Sequence, residues 1–192
     1  RDLVRSRGLG DVYKRQVMAA FAVAVKIDTI AYMPVQDFGN AFSVFTAQNF
    51  GAGKHDRIKS GIKQSLISVV LFCFAVSTAV FFLSEPLMSL FCSDSETVAI
   101  GVQYLRTEGL CYIGIGILFM LYGYYRAVNK PLMSVILTIL SLGTRVLLAY
   151  ILSPVSTFGV MGIWVSIPIG WFLADTAGIG YYILRERRQY QK

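Results

Sequence analysis

Five apolar stretches are separated by loops whose charge alternates, and this alternation limits what the chain can fold into. The loop Lys54-His55-Asp56-Arg57-Ile58-Lys59, with Lys63 just beyond, is basic. The next loop carries Glu85, Asp94 and Glu96 and no Lys or Arg. Arg126 and Lys130 mark the one after, and the segment from Ser153 to Gly159 has no charge. The chain closes on Arg185-Glu186-Arg187-Arg188-Gln189-Tyr190-Gln191-Lys192. Basic loops stay on the cytoplasmic side of a membrane. The pattern predicts an all-α, polytopic membrane helix bundle with five transmembrane helices, multi-pass in the cell inner (plasma) membrane, C-terminus cytoplasmic.

Charge-free runs extend from Gln64 to Ser84, Gly109 to Tyr125 and Val146 to Ala174. A spanning helix needs about 20 mostly apolar residues, and a helix satisfies its own backbone hydrogen bonds where lipid cannot. With 55% hydrophobic residues the chain is too apolar for a soluble domain of 192 residues. The net charge of +7 does not point to nucleic acid, because the basic residues sit at membrane edges, where they set topology and meet anionic lipid.

The first sixteen residues conflict with this order. Arg1, Arg5, Arg7, Lys14 and Arg15 would hold the start of the first span in the cytoplasm, and the four later spans require the opposite. Ser6 to Gln16 back-translates to a sequence resembling a transposase adapter used in sequencing libraries. Residues 1–16 are therefore read as a non-native, adapter-derived tail and 17–192 as part of a transporter-like membrane unit. Without the tail, Lys and Arg fall from 18 to 13 and Asp and Glu from 11 to 9, leaving +4. With no initiator Met, the chain reads as the C-terminal part of a longer protein.

Span one is expected from Val17 to Phe50, kinked at Pro34 and ended by Gly51-Ala52-Gly53. Span two is expected from Ser60 to Ser84, followed by Pro86 and a short interfacial piece, Leu87 to Cys92. Ser93 lies three residues before Glu96, the spacing of a capping box, so span three should open there and run as one helix from Thr97 to Val128. Spans four and five are expected over Pro131–Leu152 and Gly159–Leu184. Cys73, Cys92 and Cys111 have no metal or redox spacing and read as spectators. His55 reads as a solvated loop residue. No enzyme motif is present, and no metal or cofactor site is expected.

Polar groups inside spans are costly and mark pathways or helix contacts. Asp28, Tyr32, Gln36, Asn40 and Ser43 follow at steps of four, four, four and three, with Asp37 beside them. They are assigned to one helix face that walls a water-accessible substrate pathway. Span four carries Ser134, Thr138, Ser141 and Arg145. Arg145 needs a carboxylate at its own depth, and Glu108 matches, with Asp28 second. Asp175 has no basic neighbour at its depth, which makes it either a proton-titrating group or a quiet structural acid. Trp164 and Trp171 flank Pro168. Both rings are suited to stack on flat cations, which assigns Trp171 to the pathway, and for Trp164 an anchor at the outer membrane interface is an equal alternative. Tyr122, Tyr124, Tyr125, Tyr181 and Tyr182 read as an inner aromatic belt.

The run Pro34-x4-Gly39-Asn40-Ala41-x-Ser43-x4-Gln48-Asn49-x-Gly51-Ala52-Gly53-Lys54-x-Asp56-Arg57 resembles the MATE family (multidrug and toxic compound extrusion). Tyr122-Gly123-Tyr124-Tyr125-Arg126 leading to Pro131, and Gly162-Ile163-Trp164 with Pro168-Ile169-Gly170-Trp171, look similar too. The resemblance covers residues 17 to about 184. It implies a twelve-helix transporter in two six-helix lobes, exporting organic cations and other drugs in exchange for Na⁺ or H⁺. The five spans would be helices eight to twelve, the C-terminal lobe without its first helix. The partners implied are a cationic drug-like small molecule, membrane lipid, and the N-terminal lobe and preceding helix of the same protein. Some branches of the family carry an essential carboxylate midway along the tenth helix. Here that stretch, Ile113 to Ile117, is apolar and Glu108 lies about two turns earlier. The coupling ion's site is thus expected outside this chain. A lipid-linked oligosaccharide flippase of the related superfamily is one alternative. The other is a non-transporting membrane subunit.

Overall fold

The computed structural model of the protein describes residues 2–152 and 159–186. Helix α1 spans Asp2–Gly51, α2 His55–Ser89, α3 Ser95–Gly109, α4 Tyr112–Ala127, α5 Pro131–Leu152 and α6 Gly159–Tyr181. A π-helical turn, Tyr182–Glu186, continues α6. No strand occurs among the described residues. The uncharged loop at 153–158 and the end of the basic tail, Arg187 to Lys192, lie outside the described residues.

Four helices are each long and apolar enough to cross a bilayer. Counted as one broken span, α3 and α4 make a fifth. The chain is an all-α, multi-pass membrane bundle, as loop charge predicted.

Helix ends follow local chemistry. α1 stops at Gly51, and Gly53 takes φ +67°, a left-handed conformation that glycine adopts without strain. The amide of Lys54 then donates to the carbonyl of Asn49 at 2.9 Å, closing the turn before α2. Asn129, with φ 59°, turns the chain between α4 and α5, and Pro131 opens α5 where its missing N–H costs nothing.

Four expectations are corrected. α1 does not begin at Val17: it runs unbroken from Asp2 through Pro34. α2 passes through Pro86 to Ser89, so no separate interfacial piece follows it. The span expected over 97–128 is two helices meeting at 53°. Backbone pairing survives this bend, because the amides of Leu110 and Cys111 reach back to Arg106 and Glu108 carbonyls at 3.2 and 2.9 Å. The N-cap of α3 is also one residue later than the capping-box spacing indicated. Asp94, not Ser93, accepts from the Thr97 amide at 3.0 Å and hydroxyl at 2.6 Å.

α1 packs on α2, α3 and α4, while α6 packs on α4 and α5. Glycine sets the closest approach. A Cβ on Gly123 would stand 2.5 Å from the Gly39 carbonyl oxygen, and one on Gly39 would stand 2.9 Å from that of Phe119. α5 is peripheral, with only Leu137 and Ser141 buried. Its outward positions, including Leu132, Ile139 and Leu147, are apolar as a lipid-facing surface requires.

Candidate functional site

The polar positions of α1 divide. Asp28 is buried, Tyr32 is half-buried against the Phe119 ring, and Gln36, Asp37 and Asn40 are exposed. The reason is helical arithmetic. Each step of four residues over-rotates a 3.6-residue turn, so three such steps from Asp28 to Asn40 turn the direction by about 120°. The residues therefore form a slow spiral rather than one face, and the spiral leaves the bundle toward the Gly51 end of α1.

At the buried end, Asp28 accepts from the Tyr112 hydroxyl at 2.5 Å and from the Tyr104 hydroxyl at 3.4 Å. These two tyrosines were absent from the sequence reading. With Glu108 they recur every four residues along α3 and the start of α4, which was a visible signal. Aromatic rings close this cluster. Trp164 stacks on Phe21 at 5.4 Å and meets the edge of Tyr104 at 5.0 Å. Trp164 is only 2% exposed, so it is a core residue and not an outer-interface anchor.

Glu108 and Arg145 do not form the direct ion pair that their matched depth predicted. Glu108 is 0% exposed, and neither carboxylate oxygen has a hydrogen-bond partner among the described residues. Arg145 stands off at longer range, where it acts electrostatically on Asp28, Glu108 and Tyr104. Matching depth along two helices sets height but not separation, and the guanidinium of α5 stays beyond contact distance. Arg145 thereby acts on three groups, Asp28, Glu108 and Tyr104, instead of on a single partner.

Asp175 is buried without a hydrogen-bond partner on either oxygen among the described residues, and it lies within electrostatic reach of Tyr122. Trp171 is buried at the contact of α6 with α4, its Cβ 3.5 Å from a Cβ placed on Gly114. It does not share an open surface with Gln36, Asp37 and Asn40. The inner tyrosines are packed rather than turned to headgroups. Tyr124 meets Tyr182 and Tyr125 meets Tyr181 edge-on at 5.4 and 5.9 Å, and the Tyr125 hydroxyl donates to the Gly178 carbonyl at 2.6 Å. His55 opens α2 and lays its ring against Phe50, so it is half-buried rather than solvated. Cys73 is buried, and Cys92 and Cys111 are half-buried.

The exposed face of α1 differs from that of α5. Gln36, Asp37 and Asn40 are exposed within the membrane-length stretch of α1 that runs from Asp11 to Gly51. Lys26, further up the same helix, is exposed too. Asn40 accepts from the Arg126 guanidinium at 3.0 Å, whereas Lys26 and Asp37 make no ion pair among the described residues. Lys26 and Asp37 are eleven residues apart, which sets them about 20° from the same direction. Ile30 and Met33 are exposed between them on the same side, so this face of α1 mixes charged and apolar groups.

A family model described as MatE matches residues 9–151. The chain is 26% identical over 171 residues to the probable multidrug resistance protein YoeA of Bacillus subtilis, covering 88% of this chain and 37% of that one. It is 27% identical over 172 residues to the FAD transporter of Shewanella oneidensis, again covering 88% and 37%. Among solved structures, an inward-facing multidrug resistance transporter of the MOP superfamily superposes with a TM-score of 0.82 at 20% identity, over 90% of this chain and 40% of that chain. A MOP superfamily transporter from Pyrococcus furiosus superposes at 0.79 with 22% identity, over 87% and 38%. The chain thus spans about two fifths of the length of the relatives it matches.

Proposed function

This chain belongs to the MATE family, and from that premise we propose that it is part of a secondary active multidrug exporter that exchanges organic cations or other drugs for Na⁺ or H⁺. The observation that carries this reading is the exposure of Gln36, Asp37 and Asn40 on α1, within a span long and apolar enough to cross a bilayer. A second lobe of the same protein would face it, and substrate would pass between. Asp37 is the carboxylate placed to meet a cation there. Asp28 acts from behind, through Tyr104 and Tyr112, by holding α1 on α3 and α4. Trp171 supports the wall from the α4–α6 contact, and Asp175 is the group suited to proton exchange on α6. The coupling-ion site belongs to segments outside this chain. The basic loop after α1 and the C-terminus share the cytoplasmic side of the plasma membrane.

The test is dye export by the protein made from its whole coding region in a bacterial strain lacking its own exporters. Accumulation of a cationic dye should fall on expression, and the fall should depend on Na⁺ or on the proton gradient. Asp37→Asn should weaken export without lowering the amount of protein in the membrane. Dye handling that is unchanged by expression under either gradient overturns the reading.

A second reading has Lys26 behind it, an exposed ammonium on the same face as Asp37 with no ion pair among the described residues. One relative is an FAD transporter. An anionic nucleotide would pair with Lys26 and leave Asp37 as a repulsive gate. Flavin release into the medium that Lys26→Gln abolishes, with dye handling unaffected, favours this substrate over cations.

A further inference from the structure

α2 and α6 each pack on α4, and between them lies an apolar cavity of about 260 Å³. Ile62 and Leu66 of α2, Leu121 and Tyr124 of α4, and Ile179 of α6 line it, with Tyr182 at the start of the π-helical turn. No charged side chain lines it among the described residues. Three observations bear on its occupant. First, an apolar cavity has nothing to hold water, so its natural content is hydrocarbon. Second, the turn that shapes one wall is π-helical, and such turns are kept mostly where they serve a site. Third, basic residues adjoin one end of the lining. Lys59 lies one turn before Ile62 on the same side of α2, Lys63 follows it, and the Lys130 ammonium lies 5.8 Å over the Tyr181 ring, next to Tyr182. Asp56, 3.9 Å from Lys59, is the one acid of that loop and is fully exposed.

We propose that this cavity holds an acyl chain of an anionic phospholipid from the Lys59-side leaflet, with the lipid phosphate seated among Lys59, Lys63 and Lys130. The tail would fill the gap between α2 and α6 and tie both to α4. The headgroup would reward a leaflet rich in anionic lipid. The site is separate from the exposed face of α1, and it stands whatever the exported substrate is.

The test uses the protein from its whole coding region in nanodiscs of mixed phosphatidylglycerol and phosphatidylethanolamine. Native mass spectrometry should find phosphatidylglycerol retained in preference. Phosphatidylglycerol with a diazirine in its tail should crosslink to Leu66, Met120 or Ile179. Leu66→Trp fills the cavity from a partly exposed position and should cut retention by about tenfold, the change expected when roughly two acyl methylenes are shut out. Lys59→Gln with Lys63→Gln leaves the lining untouched and should remove the preference for phosphatidylglycerol. Equal retention of the two lipids by the unaltered protein overturns the proposal. So do undiminished retention in Leu66→Trp, crosslinks confined to other surfaces, and a segment of the same protein occupying the gap.

Discussion

Asp28 shows how much one buried carboxylate organises. Its two oxygens are met from α3 and α4 by Tyr104 and Tyr112, so one side chain ties three helices together. Removing the Tyr112 hydroxyl leaves a buried acceptor short of a donor, which costs about 1–3 kcal/mol. Tyr112→Phe should lower the thermal unfolding temperature of the purified protein. Adding Asp28→Asn to that variant should cost less than Asp28→Asn alone, because the bond it would break is already gone. Asp94 does a smaller task outside the membrane-spanning segments. Hydrogen bonds from the Thr97 hydroxyl and amide hold its carboxyl below the ordinary carboxylate value. The sign follows: a depressed native pKa adds stability above the unfolded value, near 3.9, and that stability is lost as pH falls through the native one. Amide exchange at the start of α3 should therefore accelerate as pH falls below the ordinary carboxylate value, after correction for intrinsic rates, and Asp94→Asn should abolish that extra dependence. Spacing in the sequence identified Asp28, Glu108 and Arg145 as residues in need of partners. It could not supply those partners, because side-chain reach across helices depends on how far apart the axes pack.

At the level of elements, glycine placement decides which helices touch. Gly39 and Gly123 let α1 and α4 approach until a Cβ on either would strike backbone. Gly123→Ala should push the two helices apart and destabilise the bundle by about 1–3 kcal/mol. Gly143, mid-helix in α5 with nothing within 4 Å of its would-be Cβ, is the contrast. Gly143→Ala should leave stability unchanged or raise it by up to about 1 kcal/mol. Denaturant titration of the two variants side by side checks both directions. Helix ends were readable where a residue's own backbone preference ruled, as at Gly51, Gly53 and Pro131. The break at Gly109-Leu110-Cys111 was not. No proline marks it, and the amides are satisfied on both sides of the bend, so nothing local forbids a straight helix there. Contacts of α3 with α1 and α2, including Gly109 against Val80, are made in the bent form.

Over the whole molecule, loop charge predicts sidedness. In a background lacking Cys73, Cys92 and Cys111, a thiol at Glu96→Cys should react with a membrane-impermeant reagent in intact cells. One at Asp56→Cys should react only after lysis. Labelling of both in intact cells would remove the proposed orientation. Membrane insertion, the all-helical class and the limits of α5 were readable from the amino-acid order alone. The first two depend on the transfer of apolar side chains into hydrocarbon, and α5 opens at a proline, a local property. Tertiary structure alone decided that the α1 polar residues spiral from core to surface, that Trp164 is buried and that Arg145 acts on three groups rather than on a single partner. It alone opened the cavity between α2 and α6. Each of these depends on distances between helix axes, which arise from the mutual packing of residues far apart in the chain and are encoded by no single stretch of it.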